Sequence, residues 1–135
     1  MGLYITKIKR ISGTSYSEVY PQAISLYKTI KFRSKRRPYL RSAYFKKEKV
    51  FLDYFWDHLR EKHHNDRTRR LQQYACGLDL IEYSRIEPIQ QRNPKKFSET
   101  LYRFIGRNGN NDMFAVQIRE NKNGEKGLMS IFPIR

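Results

Sequence analysis

Cysteine is almost absent. Cys76 stands alone among 135 residues, so an intramolecular disulfide cannot form and a zinc site built on several cysteines is excluded. Acidic side chains are scarce as well, 13 Asp and Glu against 28 Lys and Arg, which leaves a formal charge of +15. No apolar run approaches the ~18 residues of a membrane span, and the start of the chain lacks the continuous apolar core of a secretory signal. A Gly-rich phosphate loop, a Gly-x-Ser-x-Gly elbow and a His-Glu-x-x-His motif are all missing, and His58, His63 and His64 have no matching carboxylate pattern. These absences set aside nucleoside-triphosphate hydrolysis and acyl transfer, leave metal catalysis weakly supported, and imply neither cofactor nor bound metal. Together with the lone cysteine they point to a soluble protein of the cytoplasm with no membrane partner.

What is abundant is positive charge and aromatic surface. Ten Tyr, eight Phe and one Trp are too many for a disordered basic tail, because aromatic burial offsets chain entropy. The charge is concentrated early: residues 1–50 hold 13 of the Lys and Arg but only Glu18 and Glu48 among the acids. Such segregation suits a surface that neutralises phosphates and releases their counterions, so RNA or DNA is the favoured partner. Lys31 to Arg41 is the densest run. There Lys35, Arg36, Arg37 and Arg41 alternate with Phe32 and Tyr39, a mixture that binds phosphates while stacking on bases, or else forms a solvated linker.

The chain is read as a basic N-terminal arm, residues 1–43, partly extended and broken at Tyr20-Pro21, and a folded domain, residues 44–135, a boundary set by the family resemblance given below. Phe51, Leu52, Phe55, Trp56 and Leu59 predict an amphipathic helix from Glu48 to about His63, with His58 at the border of its apolar stripe and His63 and His64 capping its C-terminus. Leu71, Tyr74, Ala75, Leu78 and Ile81 predict a second helix from Asn65 or Asp66 to about Arg85. Three strands follow, Leu101 to Gly106, Met113 to Glu120 and Gly127 to Ile134, joined by turns carrying Asn108-Gly109 and Asn123-Gly124. The expected fold is α+β: two helices packed on a small twisted antiparallel meander of three or four strands.

Two features of this layout bear on chemistry. Arg67, Arg69 and Arg70 fall in the first turn of the second helix, where the dipole disfavours cations, so they either bind an anion there or pair with Asp57, Glu61 or Asp66. Arg103, Gln117, Arg119 and Ser130 stud the strands, a surface able to hold phosphate. Metal-free RNA cleavage needs no protein nucleophile, since the ribose 2′-hydroxyl attacks its own phosphate. It needs an acid or base such as histidine and arginines around the phosphorane-like transition state.

The run Phe104-Ile105-Gly106, then Phe114-Ala115-Val116-Gln117-Ile118-Arg119-Glu120 and Leu128-Met129-Ser130-Ile131-Phe132-Pro133 resembles the C-terminal sheet of phage-associated members of the barnase/EndoU/colicin/RelE-like nuclease superfamily. Phe55-Trp56-Asp57-His58-Leu59 and Asp66-Arg67-Thr68-Arg69-Arg70-Leu71 are similar to the helices that precede it. The resemblance covers about residues 44 to 134. It implies a metal-independent endoribonuclease of toxin or effector type, directed at tRNA or mRNA and sometimes paired with an antitoxin or immunity protein. Carried over, it makes His58 the general acid/base, Arg67 and Arg70 phosphate ligands, Arg103 and Gln117 sheet-face contacts and Ser130 the last-strand hydroxyl. A barnase-type Glu/His pair and a RelE-type C-terminal Tyr have no counterpart, so the catalytic set stays open. A non-catalytic RNA-binding or ribosome-associated protein using the same surface is the alternative.

Overall fold

The computed structural model describes residues 2–134. In chain order the elements are β1 (Tyr4–Ile5), α1 (Tyr16–Arg33), β2 (Tyr39–Ser42), β3 (Glu48–Phe51), α2 (Asp53–Leu59), α3 (His64–Gln72), α4 (Tyr74–Tyr83), β4 (Ile89–Arg92), β5 (Thr100–Arg107), β6 (Met113–Glu120) and β7 (Lys126–Ile134). They build one seven-stranded sheet ordered β1-β5-β6-β7-β3-β2, with β4 also paired to β5. The strands β1 and β4 share one edge of β5, β1 running parallel beside Gly106 and Arg107 and β4 antiparallel beside Thr100 to Arg103. At the far side β3 runs parallel to the start of β7, and β2 closes the sheet antiparallel to β3.

This corrects the sequence-based expectation of two helices on a three- or four-stranded antiparallel sheet: the described residues form four helices, and the seven-stranded sheet is mixed. The central meander β5-β6-β7 lies within a residue or so of where alternation and the Asn-Gly turns put it. The added strands are two to four residues long, too short to show a period of their own and dependent on partners distant in sequence. Residues 48–51 pair as a strand, Leu40 against Val50, rather than opening a helix. Lys46 and Lys47 make the preceding turn in the left-handed region, with φ of 56° and 72°.

Residues 16–33 are helical rather than part of an extended arm, and Pro21 lies inside α1. A proline there forfeits one backbone bond and crowds the preceding turn. Against that, the Glu18 carboxylate accepts the Thr14 and Ser15 amides at 3.1 Å each, closing the N-terminus, and Val19, Ala23 and Ile30 are buried on a helix packed against α3. The second expected helix is two helices, α3 and α4, separated at Gln73. Its apolar stripe continues unbroken through the break, so periodicity could not reveal it. At the break the Gln72 carbonyl accepts the Ile11 amide at 2.8 Å instead of continuing the helix, and buried Gln73 accepts a 2.9 Å bond from Asn108 Nδ2 in the β5–β6 turn. His63 does not cap α2; its Nδ1 accepts the Asn65 amide at 3.3 Å as the N-cap of α3.

The meander has two unlike faces. Tyr102, Phe104 and Gly106 of β5 stand opposite Ile118, Val116 and Phe114 of β6, and Val116 opposite Ile131 of β7; this face is packed beneath α4 and beneath Tyr44 and Phe45 of the β2–β3 turn. Gly77 of α4 approaches so closely that an added Cβ would lie 2.4 Å from Ile131 Cδ1. The opposite face carries the polar residues. Alongside it, α2 and α3 pack on β7 and bring their side chains to the polar surface. Among the described residues, no helix is long and apolar enough to cross a membrane.

Candidate functional site

Register alone assembles the floor of the site. Arg103 pairs with Gln117, and Gln117 with Ser130, so the three stand side by side on β5, β6 and β7. Arg103 donates from Nε and Nη2 to Gln117 Oε1 at 3.3 and 3.0 Å, and Gln117 Nε2 reaches Met129 Sδ at 3.5 Å. An irregularity in the β6–β7 ladder follows Gln117; such bulges re-aim side chains.

Two helices complete the cluster. The α3 residue Arg70 donates from Nη1 to Ser130 Oγ at 2.9 Å and from Nε to Asp66 Oδ2 at 3.0 Å. Its side chain is only 15% exposed, so the guanidinium is held rather than freely mobile. From α2, His58 Nδ1 lies 3.3 Å from the same Ser130 Oγ. Burial is the main influence on His58 and lowers its pKa below 6.5. Lys62 lowers it further, as do Arg70 and Arg119, with Glu61 opposing. The imidazole is therefore neutral at pH 7 and able to accept a proton.

Aromatic rings flank this centre. Phe132 carries the Arg70 and Arg103 guanidiniums 5.3 and 5.4 Å from its centroid, and Tyr54 carries Arg119 at 3.9 Å while its ring lies 5.9 Å from that of His58. Arg119 also approaches Glu99 at 3.5 Å. Sequence reasoning assigned Tyr54 and Phe132 no role in the site, yet each had a signal, and it named Asp66 only as a pairing partner of the neighbouring arginines. Phe132 is two residues from Ser130 on one strand, Tyr54 one helical turn before His58, and Asp66 one turn before Arg70.

His58, Arg70, Ser130, Arg103, Gln117 and Arg119 thus come together, whereas Arg67 does not join them. Its Nε and Nη2 donate to the backbone oxygens of Lys62 and Arg60 at 2.9 and 2.7 Å, closing the α2–α3 connection. This accounts for the arginine-rich first turn of α3: Arg67 satisfies carbonyls past the end of α2, while Arg69 and Arg70 pair with Asp66 at 3.3 and 3.0 Å.

The early basic run is divided in use. Arg37 holds Asp53 through two bonds of 3.0 and 2.9 Å, reaches Glu125 at 3.1 Å and covers Phe51 at 4.1 Å, so its charge is spent within the fold. Phe51 belongs to the register row Phe51, Gly127, Arg119, which brings the run to the edge of the polar face. Arg41 donates to the Lys47 carbonyl at 3.0 Å. Lys35 and Arg36 are exposed and make no ion pair among the described residues. Buried Cys76 is no nucleophile at neutral pH, its thiol being pushed up to about 11 chiefly by burial.

Among the described residues, no group of three or more His, Cys, Asp or Glu side chains is placed to hold a metal ion. Compared with family models, characterised proteins and solved structures, the chain matches none.

Proposed function

We propose that this protein is a metal-independent ribonuclease that cuts RNA by attack of a ribose 2′-oxygen on the adjacent phosphorus. The single observation that carries the reading is the convergence of His58 and Arg70 on one hydroxyl, Ser130, at the end of the Arg103-Gln117 row. Ser130 Oγ has two lone pairs. If it accepts the Arg70 N–H and the His58 Nδ1–H together, the Nε2 lone pair is left open as a base. His58 Nε2 then takes the 2′-hydroxyl proton as the new O–P bond forms. Arg70, Arg103 and Arg119 face the charge that gathers on the non-bridging oxygens. The bond from phosphorus to the 5′-oxygen breaks, the leaving oxygen takes a proton from solvent, and a 2′,3′-cyclic phosphate remains.

The +15 charge and the resemblance to phage-associated nucleases support the same reading, with tRNA or mRNA as substrate in the cytoplasm and an antitoxin or immunity protein as the restraining partner. The second reading, a non-catalytic RNA-binding or ribosome-associated protein, is favoured by His58 being the single imidazole that reaches Ser130 among the described residues. The deciding experiment incubates purified protein with total tRNA and mRNA in EDTA. Fragments ending in 2′,3′-cyclic phosphate are expected; intact RNA sinks the nuclease reading.

A further inference from the structure

A second surface continues the polar face. A groove of about 890 Å³ lies between the segment before α1, the end of α3 and the β5–β6 turn, and its lining includes Lys9, Arg69, Gln72, Asn111, Met113 and Ile134. Its charge is unbalanced. Asp112 is the one acid of the lining, and it is occupied by Arg10 at 2.6 Å. Among the described residues Lys9 makes no ion pair, and Arg69 pairs with Asp66 at 3.3 Å. The Asn111 amide is exposed on a backbone in the left-handed region, at φ 66°.

The groove is joined to the cluster by the sheet itself. Met113 and Ile134 pair across β6 and β7, as do Ala115 and Phe132, then Gln117 and Ser130. These pairs share one face, so a track runs from the groove over Phe132 to Ser130. The four-residue step from Met113 to Gln117 is about 13 Å. Positive charge at one end, an aromatic ring midway and a phosphate site at the other end are the parts of a single-stranded nucleic-acid path.

We propose that the Lys9–Arg69–Asn111 groove is a subsite for single-stranded RNA, holding the nucleotides to one side of the bond cut at His58, with Phe132 as the stacking platform between them. The inference rests on the ribonuclease reading for what happens at His58, but the path itself requires only binding. A short RNA centred on the cluster stops before the groove, whereas a longer one enters it and gains Lys9 and Arg69 as phosphate contacts. The amides of Gln72 and Asn111 then face base edges rather than backbone; Gln72 Nε2 is already held by the Gly13 carbonyl at 2.8 Å, which leaves its oxygen as the acceptor.

The test is a length series of single-stranded oligoribonucleotides, from dinucleotide to hexanucleotide, measured as KM for cleavage and as Kd with the uncleavable 2′-O-methyl versions. For the wild type, affinity is expected to rise about tenfold or more with length as phosphate contacts are added. In the Lys9→Gln/Arg69→Gln double variant most of that gain disappears, and the salt dependence for the hexanucleotide falls by about two contacts. Lys9→Glu, which touches nothing in the His58 cluster, must move the same way. A wild type without length dependence, or variants that keep the full gain, overturn the subsite. If the 2′-O-methyl series shows the gain and its loss while no RNA is cut, the subsite stands and the ribonuclease reading falls.

Discussion

The two faces of β5, β6 and β7 are built from alternate residues of the same strands, yet they are held in place by different physics. On the packed face Phe104, Val116 and Ile131 are buried, Phe104 against Tyr44 and Phe45 and Ile131 against α4, and position is decided by volume: an added Cβ would lie 2.4 Å from Ile131 at Gly77 and 2.6 Å from Phe114 at Gly106. On the polar face position is decided by directed bonds. Each cation there has an anchor, Arg70 on Asp66, Arg103 on Gln117 and Arg119 on Tyr54 and Glu99. The anchors contribute fewer negative charges than the arginines contribute positive ones. The face is therefore organised before any ligand arrives and still carries surplus positive charge, the combination that stabilises developing negative charge without reorganisation.

The sharpest way to break the comparison is at His58. His58→Ala is expected to slow RNA cleavage by about 100-fold or more, the usual contribution of a general base, while the denaturation midpoint near neutral pH moves little. The pH profile of kcat/KM gives the same group a second test. Because burial and neighbouring cations lower the His58 pKa from 6.5, the acid limb should fall below 6.5, with the rate rising as the imidazole deprotonates and then levelling. Stability carries a matching signature. Between the lowered folded pKa and 6.5 the unfolded chain binds more protons, so stability is lost as pH falls through that window, and His58→Ala removes that part of the slope. A limb at or above 6.5 contradicts the geometry.

On the packed face the expected outcome is the reverse. Gly77→Ala forces a methyl into Ile131 and should cost about 2 kcal/mol of stability, read from the midpoint of denaturant unfolding, with cleavage per folded molecule retained. A full loss of activity at native stability would mean that the two faces are coupled.

How far these faces were legible beforehand follows from the range of each interaction. The meander, its turns and its alternation are local, so Arg103, Gln117 and Ser130 could be placed on strands and their row emerged once pairing was fixed. His58 and Arg70 were visible as a stripe-edge histidine and a helix-start arginine. Their meeting at Ser130 depends on contacts spanning 72 and 60 residues, which no window of sequence contains. The break at Gln73 and the parallel strands β1 and β3 were invisible for the same reason. Pro21 misled because a local rule was outweighed by tertiary burial, and Arg67 and Arg70, three residues apart with the same local signal, serve different partners.

A smaller effect sharpens the chemistry of the polar face. Arg70→Lys keeps the charge but loses the planar fork that bonds Asp66 and Ser130 at once, so cleavage should fall about tenfold. If lysine restores full activity, only charge is needed there and the Ser130 geometry is incidental.

The smallest expected change separates Arg67 from Arg70, three residues apart on one helix. Arg67→Ala frees the carbonyls of Arg60 and Lys62, which water replaces in part because the turn is near the surface. The expected loss is about 1 kcal/mol of stability, seen as a lowered Tm, without the drop in kcat/KM that Arg70→Ala produces. Comparing the two alanine variants at a temperature where both are fully folded removes the stability difference from the rate. A drop in cleavage for Arg67→Ala equal to that for Arg70→Ala would place Arg67 back on the phosphate and make its carbonyl bonds a resting arrangement of the free protein.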